Sequence, residues 1–188
     1  MASVSGRWAL LAFMNLLFFG CVFVVVFLAQ FLFPPPLYSG GFSMVPEVFL
    51  GSWFTMVLGV FAFNLAVSAF VVVTLSGVVF FPLSTGFLLF RAVLWGLLLC
   101  PLPTWLFLAF LPTLVLEGEA YVFAAVAGTV AGVSWIKPEY AYRGEGSSRV
   151  EAFKKALREC LSVYVLVAMF LLVAAVVENV TIVLLSSF

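Results

Sequence analysis

The chain has 188 residues, of which 66% are apolar and 9% charged, with a mean hydropathy of +1.31 and a formal net charge of zero. Soluble domains carry about 25% charged residues, so this chain has too little polar surface to cover a water-facing core. The charge balance gives no footing for nucleic acid or an acidic substrate. The lack of any His or Asp removes the usual general bases and many metal ligands.

No charge falls between Arg7 and Glu47, and residues 8–33 are apolar apart from Asn15 and Gln30. About 20 such residues cross a bilayer as a helix. The run is too long for the apolar part of a secretory signal, and no small-x-small cleavage site precedes Phe31, so it reads as a retained span. Pro34, Pro35 and Pro36 end it, and Ser39-Gly40-Gly41 continues a loop. A second span covers residues 53–75, with Asn64 and Ser68 on one helical face. After Gly77 and Pro82 a third span covers 84–100 and contains Arg91. Pro101 and Pro103 then form a tight turn.

Residues 104–136 are apolar except for Glu117 and Glu119, a stretch longer than one ordinary span. Pro112 is expected to break it into a short re-entrant or interfacial helix, 104–116, and a span, 117–136. Glu117 and Glu119 then fall near a helix N-terminus, where the dipole favours carboxylate.

Lys137 to Cys160 is the polar segment. Gly144, Gly146, Ser147 and Ser148 form a link, and Ser148-x-x-Glu151 is a capping box that opens a basic amphipathic helix, 149–160. Val150, Phe153, Leu157 and Leu161 are its expected apolar face, with Arg149, Lys154, Lys155 and Arg158 as membrane-surface cations. A last span, 161–185, holds Glu178 and Asn179. Six of the eight Lys and Arg lie between Lys137 and Arg158, which places 137–160 and the N-terminus in the cytoplasm. An even number of spans, four, precedes Lys137. The fifth puts the C-terminus, Phe188, outside. The expected fold is all-α, a multi-pass transmembrane helix bundle forming one membrane domain over 1–188.

Chemistry, if present, sits where a polar group persists at membrane depth, because a charge there needs a partner, water or a proton. The candidates are Asn64, Arg91, Glu117, Glu119 and Glu178. They either tie spans together, Arg91 pairing with a carboxylate and Asn64 satisfying backbone near a break, or they line an ion or proton pathway. Gly128-x-x-x-Gly132 has the spacing of a helix-packing contact. Cys21, Cys100 and Cys160 lie far apart in or beside apolar runs, without metal-ligand spacing. Neither a phosphate-binding loop, a GxSxG elbow nor a CxxC pair occurs. No catalytic residue, metal or cofactor is expected.

Leu111-Pro112-Thr113-Leu114-Val115-Leu116-Glu117-Gly118-Glu119-Ala120, followed by Ala124-Ala125 and Gly128, resembles the stage II sporulation protein M (SpoIIM-like) family. Asn64-Leu65-Ala66 with Gly77 and Gly86 resembles the span that precedes that motif in the family. The segment from Val173 to Thr181, with Glu178, resembles the family's closing helix. The family's His position is Thr113 here, and Leu114 replaces a Gly. The resemblance implies a five- or six-span membrane protein without enzymatic activity, of a kind whose namesake is a membrane scaffold during engulfment. The expected function is homo- or hetero-assembly as a scaffold or membrane-shaping component. The expected partners are the lipid bilayer, further copies of the chain and other membrane proteins, with no nucleic acid. The alternative is a transporter or channel subunit using the intramembrane glutamates.

Overall fold

A computed structural model describes residues 7–32, 53–142 and 148–186. All regular structure among these residues is helical: α1 (Trp8–Leu32), α2 (Trp53–Ala62), a π-helical stretch (Phe63–Leu75), α3 (Ser76–Val79), α4 (Phe81–Leu99), α5 (Thr104–Ile136), α6 (Pro138–Ala141) and α7 (Arg149–Ser186). Hydrocarbon offers backbone groups no partner, so long apolar runs close their hydrogen bonds within themselves. Five helical units are long and apolar enough to cross a membrane: α1, Trp53–Val79, α4, α5 and α7. The proline break at 34–36, the Ser39-Gly40-Gly41 loop, the Gly144–Ser147 link and Phe188 lie outside the described residues.

One expectation is corrected. Residues 104–116 are not a separate re-entrant or interfacial helix, because α5 runs unbroken from Thr104 to Ile136 with Pro112 inside it. A proline removes one hydrogen bond, whereas a break inside the bilayer would orphan a full turn of donors and acceptors at each new end. Glu117 and Glu119 are therefore mid-helix, away from any N-terminal dipole. The basic amphipathic segment 149–160 forms the first three turns of α7 and runs directly into the last span. Its buried face is Ala152, Ala156 and Cys160, while Val150, Leu157 and Leu161 are 50%, 40% and 72% exposed. The small side chains win that face because they let α7 approach α5, where the Cys160 thiol donates to the Ala127 carbonyl at 3.3 Å.

The register of contacts fixes the direction of each helix. Thr85 of α4 meets Met14 of α1, and Gln30 of α1 donates to the Cys100 carbonyl, so α1 and α4 run parallel. Asn64 pairs with Glu117 and Thr74 with Ala124, so the π stretch runs parallel to α5. Ser84 against Ala125 and Arg91 against Tyr121 set α4 antiparallel to α5. Cys160 against Ala127 and Phe170 against Phe123 do the same for α7. The five units thus alternate in direction along the chain. Arg7 bonds Glu159 at 2.7 Å and lies over the Tyr142 ring, so the start of α1 and the segment around 142–159 share one end of the bundle.

α5 is the central helix. From Thr113 to Gly132 most of its residues are buried, and Ala120, Ala124, Ala125, Gly128, Ala131 and Gly132 let neighbours close in. Met14, Phe18, Val22 and Val26 form the i, i+4 stripe by which α1 joins this core. Phe80 is extended, breaking the chain between α3 and α4, and Pro82 occupies the first turn of α4. The outer faces carry large apolar side chains such as Phe27, Phe31, Leu97, Leu98 and Val183, as a lipid-facing surface requires.

Candidate functional site: a polar cluster within the bundle

Three helical units bring a hydrogen-bonded cluster together inside the apolar bundle. The Asn64 amide on the π stretch donates to Glu117 Oε1 of α5 at 2.8 Å. Arg91 Nη2 of α4 donates to Asn64 Oδ1 at 3.2 Å and to the Tyr121 hydroxyl at 2.8 Å. The same nitrogen is 3.7 Å from Glu117 Oε2, and the guanidinium sits 4.8 Å above the Tyr121 ring. Glu117, Asn64 and Tyr121 are buried, and about a quarter of the Arg91 side chain remains exposed. Ion pair, amide and cation–π contact each offset part of the cost of placing charge in hydrocarbon.

The cluster has further groups at its edge. Trp95, one turn beyond Arg91, turns its indole N–H toward Glu117. That nitrogen and Arg91 Nε are buried without a hydrogen-bond partner. Glu178 of α7, half-buried, is near enough to act electrostatically on both Glu117 and Arg91. Thr113, one turn before Glu117 on the same face of α5, is buried with an unpartnered hydroxyl. Glu117 is thus the carboxylate in contact with the guanidinium, and Glu178 acts on the pair through its field.

Of the five intramembrane candidates, Asn64, Arg91, Glu117 and Glu178 gather here. Glu119 does not. It lies on another face of α5, half-buried, opposite Asn15 of α1. Asn64 bonds two side chains rather than the backbone near a break. Sequence reasoning overlooked Tyr121 and Trp95, although each stands four residues after a singled-out charge and hence on its helical face.

A second polar seam runs along the end of the π stretch. A π turn leaves carbonyls off the regular ladder, and hydroxyls take them up: Ser76 and Ser84 donate to Val73 O at 3.0 and 2.8 Å. The Thr74 hydroxyl donates to Ala124 O at 2.9 Å and meets the Tyr164 hydroxyl at 2.6 Å. Gly128 packs against Thr74 and Ser84, and Gly132 against Gly77 and Phe81. Both glycines are contact points between helices of one chain.

The basic residues cluster at the end that carries Arg7. Arg149, Lys154 and Arg158 are exposed, and Lys155 lies 4.5 Å over the Tyr142 ring. Burial raises the Tyr142 hydroxyl above the ordinary phenol range, with Arg7 opposing. Among the described residues no three of His, Cys, Asp or Glu come together as metal ligands.

The chain matches no protein-family model, no curated protein and no solved structure.

Proposed function

We propose that this is a non-enzymatic, multi-pass protein of the cell membrane that works by assembly. It assembles with itself or with partner membrane proteins, as a scaffold or membrane-shaping component of the SpoIIM-like type. The observation that carries this reading is how the buried charges are used. Glu117 is held by Asn64 and faces Arg91, and Arg91 is held by Asn64 and Tyr121. Groups spent on each other across three helical units fix the bundle instead of presenting themselves to a passing solute. Asn64 and Glu117, from two of the segments that resemble the family, are bonded to each other in this cluster, and Glu178, from the third, acts on it electrostatically.

The basic excess around 137–158 favours a cytoplasmic location for that end and for Arg7, with the C-terminus of α7 outside. A second reading, a transporter or channel subunit, draws on the extra carboxylate, Glu178, beside a single guanidinium and on the π stretch that carries Asn64. π-Helical turns often occur at functional sites.

One substitution separates the two. Under assembly, Glu117→Gln weakens folding or the oligomer, seen by native mass spectrometry of the purified particle. An intact particle that has lost proton or cation flux in proteoliposomes would overturn assembly in favour of transport.

A further inference from the structure

A groove of about 620 Å³ opens on the outer face of the bundle between the second helical unit and α7. Leu65, Ala66 and Phe70 line one wall, and Leu161, Val165 and Ala168 begin the other. The two alanines explain its depth, since larger residues on either helix would fill it. Phe70 and Tyr164 meet edge to face at 5.8 Å, and the Tyr164 hydroxyl is tied to Thr74. The lining is almost wholly apolar and the volume lies within the range of small-ligand pockets.

Two of the four cations of α7, Lys154 and Arg158, share the azimuth of this groove. At 3.6 residues per turn, Lys154, Arg158, Leu161, Val165, Ala168 and Leu172 fall on one face of the helix. Lys154 and Arg158 stand one to two turns before Leu161, and both are exposed. The acids of the same segment have other bonded partners: Glu151 accepts from the Ser148 N–H at 3.0 Å, with Lys154 acting on it only through space, and Glu159 pairs with Arg7 at 2.7 Å. Among the described residues neither Lys154 nor Arg158 enters an ion pair. Arg149 lies on the opposite side of α7. Two cations thus head a channel sized for hydrocarbon, at the level where the apolar span begins.

We propose that the groove holds an acyl chain of an anionic glycerophospholipid whose phosphate sits on Lys154 and Arg158. The charge complementarity sets the headgroup, and the apolar lining sets the chain. A zwitterionic lipid offers the same chain but brings its own cation to the two basic residues. Basic clusters beside a transmembrane helix recognise anionic headgroups on this principle.

The test is lipid retention by the full chain. The delipidated protein is given equal amounts of phosphatidylglycerol and phosphatidylcholine with identical acyl chains, and bound lipid is counted by native mass spectrometry. Phosphatidylglycerol should be favoured about tenfold. The double variant Lys154→Gln/Arg158→Gln should bring that preference near one. Lys137→Gln/Arg149→Gln, which removes two charges from the same end but off this face, should keep it. Ala168→Phe should expel both lipids while the thermal midpoint stays close to wild type. Equal retention of the two lipids by the wild type would overturn the proposal, as would an unchanged preference in Lys154→Gln/Arg158→Gln. So would a stable dimer that Ala168→Phe converts to monomer, because a second copy would then occupy the groove.

Discussion

Arg91 is the residue on which the cluster turns. Its guanidinium meets Asn64, Tyr121 and Glu117 at once, so removing it strands a buried carboxylate with only an amide for company. Breaking a buried ion pair from one side costs about 3–5 kcal/mol, whereas a single polar contact between membrane helices is worth about 0.6–1.7 kcal/mol. Arg91→Leu should therefore destabilise the bundle well beyond Glu117→Gln, which leaves an oxygen for Asn64 to donate to. Reversible unfolding in mixed micelles orders the two variants, and equal losses would mean that the stranded carboxylate carries no extra penalty. The segment around 142–159 supplies a test by pH. The Tyr142 pKa is raised by burial, so the folded state holds the proton more tightly than the unfolded chain. Stability from the neutral phenol is complete below the unfolded value of about 10 and is lost as pH rises through the folded pKa. Thermal midpoints of Tyr142→Phe should consequently fall less steeply than wild type above pH 10. Identical slopes would remove Tyr142 from the alkaline response.

Glycines sort by what surrounds them on each helix. A methyl group at Gly128 would stand 2.7 Å from Ser84 Oγ and 2.8 Å from the Thr74 carbonyl, much of it backbone that cannot move aside. Overpacking of that kind costs about 1–3 kcal/mol. Gly20 on α1 has open space around it, and Ala there gains up to about 1 kcal/mol in helix propensity. Thermal melts should show Gly128→Ala lowered and Gly20→Ala unchanged or raised; the reverse order would refute the packing seam. The spacing of Gly128 and Gly132 was legible in the sequence. Their partners were not, because Thr74, Gly77, Ser84 and Phe81 come from elements whose mutual approach no local pattern records. Existence and order of the spans were equally legible, since apolar length alone decides them. Pro112 misled for a physical reason: its local preference for a break is outweighed once water is absent. Of the apolar face expected on residues 149–160, Phe153 packs on Trp135 and Val150, Leu157 and Leu161 stay on the outer surface; the small residues that draw α7 to α5 carry no apolar signal of their own.

The whole molecule is longer than a bilayer is thick. At about 1.5 Å per residue, α5 and α7 extend about 50 and 57 Å, against a hydrocarbon core of about 30 Å. The surplus on α7 includes its polar first turns, which stay packed on α5 through Ala152, Ala156 and Cys160 and set Phe153 edge to face against Trp135. Arg7 is drawn to this same end by Glu159 and Tyr142. Five alternating units starting and finishing at opposite ends demand a definite labelling pattern. In a background with Cys21, Cys100 and Cys160 replaced, Ser3→Cys and Ser147→Cys should react with an impermeant thiol reagent from one side of the membrane. Ser187→Cys should react from the other. The basic excess predicts that the first two label only in inverted vesicles. Labelling of Ser187→Cys from the same side as Ser147→Cys would require α7 to turn back within the membrane. An unbroken helix anchored to α5 at Phe153, Cys160 and Phe170 does not permit that.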